Sequence, residues 1–292
     1  MTIQELLVLG KERLESSGIE YAKYERKVLL EEVLGCNYMY MLMHGEEEVP
    51  SEKMEEYLQL LERRCRHYPL QYLLGYAHFM DYTFYVNESV LIPRNDTEIL
   101  VEAAHSLLAA LTAEEQKDVP EAGTYVRPFR VLDLCCGSGC IGISLKLYHR
   151  GIDLTLTDIS EDAIEVTKRN LDKYEVEARL VCDTLLHGIT EKMDIIVSNP
   201  PYIESRVIDS LMPEVKEYEP VLALDGGEDG LDFYRKIIAD IPGYLNSGGW
   251  LLFEIGYNQG EAVSGLMRQA GFKDVEVKKD YAGLDRVVFG HL

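Results

Sequence analysis

Val131-Leu132-Asp133-Leu134-Cys135-Cys136-Gly137-Ser138-Gly139 runs from a short apolar strand into a glycine-containing turn, and the helix-like Ile141–Tyr148 follows it. Strand and helix patterns then alternate to the C-terminus. Leu154–Ile159 reads as a second strand, and Ser160 is placed to cap the helix whose Ala163, Ile164, Val166 and Leu171 face inward. Ala178–Cys182 and Asp194–Ser198 read as the third and fourth strands, Trp250–Ile255 as the fifth, and Val275–Val277 and Arg286–Phe289 as the last two. Helical patterns span Leu231–Leu245 and Glu261–Ala270, the second closed by Gly271. Alternation of this kind predicts an α/β fold whose mostly parallel sheet is covered on both faces. The last two strands have no helix between them, which predicts one antiparallel edge.

Upstream the pattern changes twice. Residues 76–92 contain the aromatic and β-branched run His78-Phe79-Met80-Asp81-Tyr82-Thr83-Phe84-Tyr85-Val86, which reads as a β-hairpin with its turn near Asp81. Pro93 to Leu111 is again helical in pattern, and the polar residues 112–128, with Pro120, Gly123 and Pro128, read as a mobile loop. Residues 1–75 look helical throughout. Thr2-x-x-Glu5 has capping-box spacing, and Ile3, Leu6, Leu7, Leu9, Gly10 and Leu14 recur near the helical period. A second stripe (Tyr24, Val28, Leu29, Val33, Leu34) stops near Gly35, and a third helix opens at Pro50-Ser51. The expected domains are a helical bundle over 1–75, a hairpin linker over 76–92 and an α/β domain over 93–292.

Charge narrows the partners. The chain carries 29 Lys and Arg against 51 Asp and Glu, a formal charge of −22, and the deficit of cations holds in 1–75 (9 against 14) as well as beyond it (20 against 37). Neither part is a basic module, so stable binding to a nucleic-acid backbone, which relies on cationic side chains displacing counterions, is not expected. No apolar run reaches membrane-spanning length and the first residues lack a signal-peptide pattern, so a cytoplasmic location is expected. Cys36, Cys65, Cys135, Cys136, Cys140 and Cys182 lack zinc-site spacing and are expected to be reduced thiols, with no metal bound.

In such sheets ligands bind at the carboxyl ends of the strands, where strand order reverses. The turn Cys135 to Gly139 lets the backbone approach a ligand closely, and the helix after it offers free amides. Asp158 ends the second strand, about 20 residues beyond the turn, where its carboxylate is placed to accept both ribose hydroxyls. Acid and turn together indicate an adenosine-type ligand and leave NAD and S-adenosylmethionine both open. Asn199-Pro200-Pro201-Tyr202, after the fourth strand, favours S-adenosylmethionine. Its prolines remove two donors and leave carbonyls that only accept. A planar NH₂ group would donate one hydrogen to the Asn199 side chain and the other to the Pro200 carbonyl, with Tyr202 stacked on the flat group. An amide nitrogen needs such help, because its lone pair is delocalised, as a peptide rotation barrier of roughly 18–20 kcal/mol reflects. Fixed acceptors polarise the N–H bonds and align the nitrogen for attack.

These residues, with Pro69-Leu70-Gln71-Tyr72-Leu73-Leu74-Gly75, Val90-Leu91-Ile92-Pro93-Arg94, Thr97-Glu98, Tyr218-Glu219-Pro220, Leu224 to Leu231 and Ala282 to Val288, resemble the HemK/PrmC family of release-factor glutamine N5-methyltransferases over nearly the whole length. The resemblance implies a Rossmann-like class I methyltransferase sheet of seven strands, mostly parallel with one antiparallel. It also implies a small all-helical N-terminal domain that helps recognise the substrate. The implied substrate is the glutamine of the Gly-Gly-Gln motif of class 1 peptide-chain release factors. Implied cofactor positions are Cys135, Cys136, Gly137, Ser138, Gly139, Asp158 and Thr184, to which Asp183 is added from its place after the third strand, and Asn199 touches cofactor and substrate alike. Asn199, Pro200 and Tyr202 are the implied catalytic group, and Asn199 to Tyr202 the substrate contacts. Three positions depart from the family pattern: Cys135 stands where glycine is usual, Asn95-Asp96 replaces Pro-Glu, and Leu284 replaces a commoner Arg.

Two other classes compete. An exocyclic amine of a nucleic-acid base is also a planar NH₂, and a flipped-out base would meet the same acceptors; the acidic balance weighs against it. A non-catalytic binding protein would share the fold, which alone does not establish function; the intact Asn199–Tyr202 motif weighs against that. Nothing here resembles a hydride-transfer site, so an NAD-dependent dehydrogenase is weaker still.

Overall fold

The computed structural model describes residues 1–117 and 127–292. In chain order the helices are α1 (Ile3–Ser16), α2 (Ala22–Leu34), α3 (Tyr38–Met43), α4 (Ser51–Cys65), α5 (Leu70–Leu74), α6 (Glu98–Lys117), α7 (Cys140–Tyr148), α8 (Glu161–Tyr174), α9 (Pro213–Tyr218), α10 (Asp232–Asp240) and α11 (Gly260–Gln269). The strands are β1 (Tyr76–Phe79), β2 (Tyr82–Tyr85), β3 (Arg130–Leu134), β4 (Asp153–Asp158), β5 (Arg179–Cys182), β6 (Met193–Ser198), β7 (Leu245–Glu254), β8 (Lys273–Lys279) and β9 (Asp285–His291). They form two compact units, one of Met1–Tyr76 with Met212–Tyr218, the other of Ala77–Leu211 with Glu219–Leu292.

The first unit is helical. The Thr2 hydroxyl accepts from Glu5 N at 3.2 Å while the Glu5 carboxylate accepts from Thr2 N at 2.9 Å, so two otherwise unpaired amides are satisfied as α1 starts. Ile3, Leu6, Leu7, Gly10 and Leu14 form its buried face. Gly10 is required there, since a Cβ would lie 2.1 Å from the Tyr57 hydroxyl oxygen. The unit also buries charge. Arg64 on α4 donates to Glu25 on α2 through Nη2 at 3.2 Å and through Nε, and to Glu214 on α9 at 3.0 Å. Sequence periodicity identified the three long helices and left α3 and α5 unread, because six and five residues are too few to show a period.

The second unit is built on a seven-stranded sheet in the order β5-β4-β3-β6-β7-β9-β8. All neighbours are parallel except β9, which runs against both β7 and β8. Alternate residues of each central strand feed opposite faces: Val131, Ile195, Val197 and Leu252 join one apolar cluster, and Leu132, Leu134, Ile196, Leu251 and Phe253 the other. The last two strands form an antiparallel pair at the sheet's edge, as the sequence suggested, with β9 inside and β8 outside. β9 buries Arg286, Val287 and Val288 in a row, whereas β8 buries only Val275, so the more buried partner takes the inside place. The hairpin β1–β2 packs on α8, where Asn170 accepts from Tyr85 N at 2.7 Å and donates to Tyr85 O at 3.0 Å.

Some boundaries differ from those expected. The helix expected from Pro93 begins at Glu98, after a tight turn over Asn95–Thr97, because Pro93 keeps its neighbours extended. It continues to Lys117 through the start of the loop expected over 112–128, whose residues 118–126 lie outside the described residues. The helix expected to reach Leu245 ends at Asp240, two residues before Pro242, which has no N–H to continue it. Leu245 instead opens β7, and its pairing with β6 jumps between Met193↔Leu245 and Ile195↔Trp250, which places Asn246–Gly249 in a bulge.

Arg64→Ala removes the partner of a buried carboxylate, and an uncompensated buried charge costs about 3–5 kcal/mol. Urea denaturation followed by circular dichroism is expected to show a loss of that order; a loss no larger than that of an exposed arginine would mean the ion pair contributes nothing.

Candidate active site

Sheet register gathers the site. Leu134 is paired with Thr157 on one side and Ser198 on the other, so the next residues, Cys135, Asp158 and Asn199, emerge level with one another at the carboxyl edge. The chain leaves β3 for β4 on one side and returns to β6 on the other, so the reversal of strand order falls between β3 and β6. A cleft enclosing about 1100 Å³, mouth included, opens there.

The turn is held from behind. Cys135, Gly137 and Gly139 have φ of 62°, 54° and 77°, all left-handed. Two are glycine, and the third explains why glycine is usual at that place: Cys135 adopts the same conformation with a side chain, at a strain of about 1–2 kcal/mol. Gly139 is also sterically fixed, since a Cβ would approach Thr167 Cγ2 to 2.9 Å. The Thr167 hydroxyl donates to Gly137 O at 2.8 Å and Asn170 Nδ2 to Ser138 O at 2.9 Å, so α8 holds two carbonyls of the turn away from the cleft.

Asp158 accepts from Gly137 N at 2.9 Å and from Ser160 N at 3.0 Å. A carboxylate offers about four lone-pair positions, so two remain for a diol. Ser160, not Asp158, caps α8, accepting from Ala163 N at 3.2 Å. Burial raises the Asp158 proton affinity, and those backbone donors offset it. Asp183 and Thr184 line the cleft beyond β5. Three thiols, Cys135, Cys136 and Cys140, line it as well. Burial raises all three, Cys140 to about 12, with Asp133 or Asp158 adding to the effect, so they remain protonated and poorly nucleophilic.

Asn199 is half-buried at the other side of the cleft. Its Nδ2 donates to the Thr97 hydroxyl oxygen at 3.4 Å. Its Oδ1 takes no hydrogen bond from a described residue and is not sealed from solvent. Among the described residues no backbone N–H donates to the Pro200 carbonyl.

Of the residues expected from sequence, Cys135, Cys136, Gly137, Ser138, Asp158, Asp183, Thr184, Asn199 and Pro201 line the cleft, whereas Gly139, Pro200 and Tyr202 do not. Tyr202 is a correction to the expected stacking. Its ring packs against the apolar cluster under α10, and its hydroxyl donates to Glu254 at 3.3 Å, a buried acceptor that holds the ring off the cleft. Sequence reasoning gave no role to Arg94 or Thr97, which also line the cleft. Arg94 is bonded to the buried Glu219, whose carboxylate also accepts from Ile92 N at 3.3 Å. Both residues stood in the quoted Val90–Glu98 segment, but nothing in their spacing pointed to partners more than 100 positions away. Asp96, where the family has Glu, still supplies a carboxylate, paired with Arg286 at 3.0 Å.

The cleft's diol-ready carboxylate, tight turn and neutral thiols fit an adenosine carrying a methyl sulfonium. Among known proteins, residues 5–75 match the family described as the PrmC N-terminal domain, and residues 119–215 the Methyltransferase small domain. The release factor glutamine methyltransferase of Clostridium botulinum (strain Hall) is 39% identical over 293 residues, covering 99% of this chain and 98% of its own. That of Geobacter sulfurreducens is 37% identical over 292 residues, covering 100% and 97%. A solved T. thermophilus 16S rRNA N2 G1207 methyltransferase in complex with AdoMet and guanosine is similar at a TM-score of 0.50 and 18% identity, over 74% of this chain and 49% of that one, a likeness of fold alone.

Asp158→Ala is expected to weaken S-adenosylhomocysteine binding by roughly 10–100-fold in calorimetric titration, the loss of charged hydrogen bonds worth about 1.5–3 kcal/mol. Unchanged binding would remove its role with the ribose.

Proposed function

The chain belongs to the release factor glutamine methyltransferases, and from that membership we propose that it methylates N5 of the glutamine in the Gly-Gly-Gln motif of class 1 release factors, with Asn199 and Pro200 holding the side-chain amide. It is an S-adenosylmethionine-dependent protein-glutamine methyltransferase. The observation that supports the residue roles most is the Asn199 side chain, whose NH₂ is engaged by Thr97 while its oxygen is left open beside the cleft.

Bound S-adenosylmethionine supplies a methyl group activated by a sulfonium. The chain's residues do the rest. Cys135 to Ser138, Asp158, Asp183 and Thr184 hold the adenosine end. Asn199 Oδ1 and the Pro200 carbonyl accept the two N–H hydrogens of the glutamine amide, which polarises the nitrogen and fixes its direction. After transfer the methylated nitrogen releases its proton to water, because an amide oxygen is too weak a base to keep it. Tyr202 supports the motif from below through Glu254.

The helical residues 1–75, matching the PrmC N-terminal domain over 5–75, are assigned to recognising the release factor, 76–92 to the linking hairpin, and 93–292 to the methyltransferase domain. Release factors work in the cytoplasm, and the protein is placed there; among the described residues no helix is long and apolar enough to cross a membrane. Stable nucleic-acid binding is not part of the activity. The charge of −22 complements a partner built to touch ribosomal RNA.

Asn199→Ala is expected to lower kcat by roughly 10²-fold or more while cofactor affinity changes by less than about threefold, read by labelled-methyl transfer to a release factor and mass spectrometry of the product. Parallel loss of both would make Asn199 a structural cap, and methyl transfer to DNA or RNA instead of the factor would favour a base amine as substrate. Raising ionic strength from ~0.1 M to ~1 M shortens the screening length from about 10 Å to about 3 Å, so KM for the factor is expected to rise. A flat salt profile would remove the electrostatic contribution.

A further inference from the structure

A short rigid rod keeps its direction only if both ends are anchored. Asn199 and Pro200 each precede a proline, which holds them extended, and the Pro200 and Pro201 rings fix two φ angles, so the motif swings as one piece. We propose that Gln259 is the positioning residue that anchors the far end of this rod and so aims the Asn199 and Pro200 acceptors at the substrate nitrogen; this rests on the reading of Asn199 and Pro200 given above.

The near end is fixed by the sheet. Ser198 closes β6 between Leu134 and Phe253, and its hydroxyl donates to Leu134 O at 2.7 Å. The far end is the Tyr202 carbonyl. Gln259 Nε2 donates to it at 3.0 Å and to Gly230 O at 3.2 Å, while Gln259 Oε1 accepts from Gly256 N at 2.9 Å. Gln259 is 7% exposed and stands where α11 begins. A side-chain amide has two N–H hydrogens to give, and both are used on carbonyls, so its three partners admit only one orientation.

The loop that carries Gly230 is shaped for this contact. Leu224 O accepts from Ile203 N at 2.9 Å and Gly226 N donates to Ile203 O at 2.8 Å, so residues 224–226 run beside Ile203 as a short parallel bridge. A Cβ at Gly226 would lie 2.6 Å from Tyr202 Cα, and one at Gly230 would collide with the Tyr202 carbonyl oxygen and lie 2.7 Å from Gln259 Nε2. Gly230 is also left-handed, with φ of 73°. A side chain at either place would push the end of the rod off the amide that holds it.

Gln259 does not line the cleft, so it acts only through Tyr202. The Tyr202 hydroxyl bond to Glu254, at 3.3 Å, holds the ring, but a side chain turns about its own bonds and leaves the peptide free. The bond to the carbonyl fixes the peptide plane itself. Without it the rod pivots about Ser198, and the Pro200 carbonyl shifts with it. A misplacement of about 1 Å costs on the order of 10²-fold in rate. Cys135 and Asp158 follow β3 and β4 and take no bond from Gln259, so the cofactor's hold is untouched.

The test uses the full-length enzyme with a release factor and labelled S-adenosylmethionine. Gln259→Met, which fills the same space without the hydrogen bonds, is expected to lower kcat by roughly 10–100-fold, with KM for the factor and S-adenosylhomocysteine affinity within about threefold. Gly230→Ala wedges the same joint, so the double variant is expected to lose little more than the worse single one; fully additive losses would overturn the proposal. If Gln259→Met keeps kcat within about twofold of the unmodified enzyme while Asn199→Ala abolishes turnover, the positioning role is overturned and the reading of Asn199 stands. If Asn199→Ala also turns over normally, the reading of Asn199 fails and this proposal with it. A fall in melting temperature accompanied by equal losses in kcat, KM and cofactor affinity would make Gln259 a structural clasp only, and overturns the proposal too. Should Gln259→Met not fold, Gln259→Asn, one methylene too short to reach both carbonyls, decides by the same split of kcat against KM.

Discussion

Parallel pairing in register is the constraint on which this molecule depends. Leu134, Thr157 and Ser198 are hydrogen-bonded neighbours on β3, β4 and β6, and Phe253 on β7 continues the row. Whatever follows each of them leaves the sheet at the same height. Cys135, Asp158, Asn199 and Glu254 are scattered over about 120 positions of the chain, yet backbone geometry alone brings them to one edge. The apolar clusters on the two faces hold that register, because a slip by one residue would send Leu132 and Leu134 to the face that Val131 serves.

The cofactor turn shows how the same edge tolerates an unusual residue. Three left-handed positions within five residues concentrate backbone strain at Cys135, Gly137 and Gly139. Thr167 and Asn170 hold two of the turn's carbonyls from α8, and Asn170 also bonds both backbone groups of Tyr85 in the hairpin. One buried amide therefore fixes hairpin, helix and turn together. The thiols nearby would be a liability beside an activated methyl if they ionised. Burial keeps them protonated, so the same desolvation that shapes the loop also protects it.

Polar groups inside the second unit are arranged in chains and not as isolated pairs. Glu219 fixes Arg94 at the cleft, Arg286 joins Asp96 to Asp280, and Glu254 accepts from Tyr202. Each chain links segments far apart in sequence, and each includes a buried carboxylate that is costly without its partners. Such chains fix orientation more than they add stability. In this site orientation is what matters, since an amide nitrogen reacts only when aligned.

Much of this was legible in the sequence. Strand and helix periods identified the seven strands, and the glycine turn, Asp158 and Asn199-Pro200-Pro201-Tyr202 marked the cleft, because local patterns report local backbone and the ends of parallel strands must meet. Short elements such as α3 and α5 showed no period, and Pro242 ended a helix earlier than its apolar pattern suggested. The placement of β9 inside β8 and the turning of Tyr202 away from the cleft were decided only by packing. The contacts of Thr97, Glu219 and Glu254 were likewise decided in three dimensions. Their meaning lies in hydrogen bonds across more than 50 residues, and one-dimensional spacing carries no record of which donor a buried carboxylate will find.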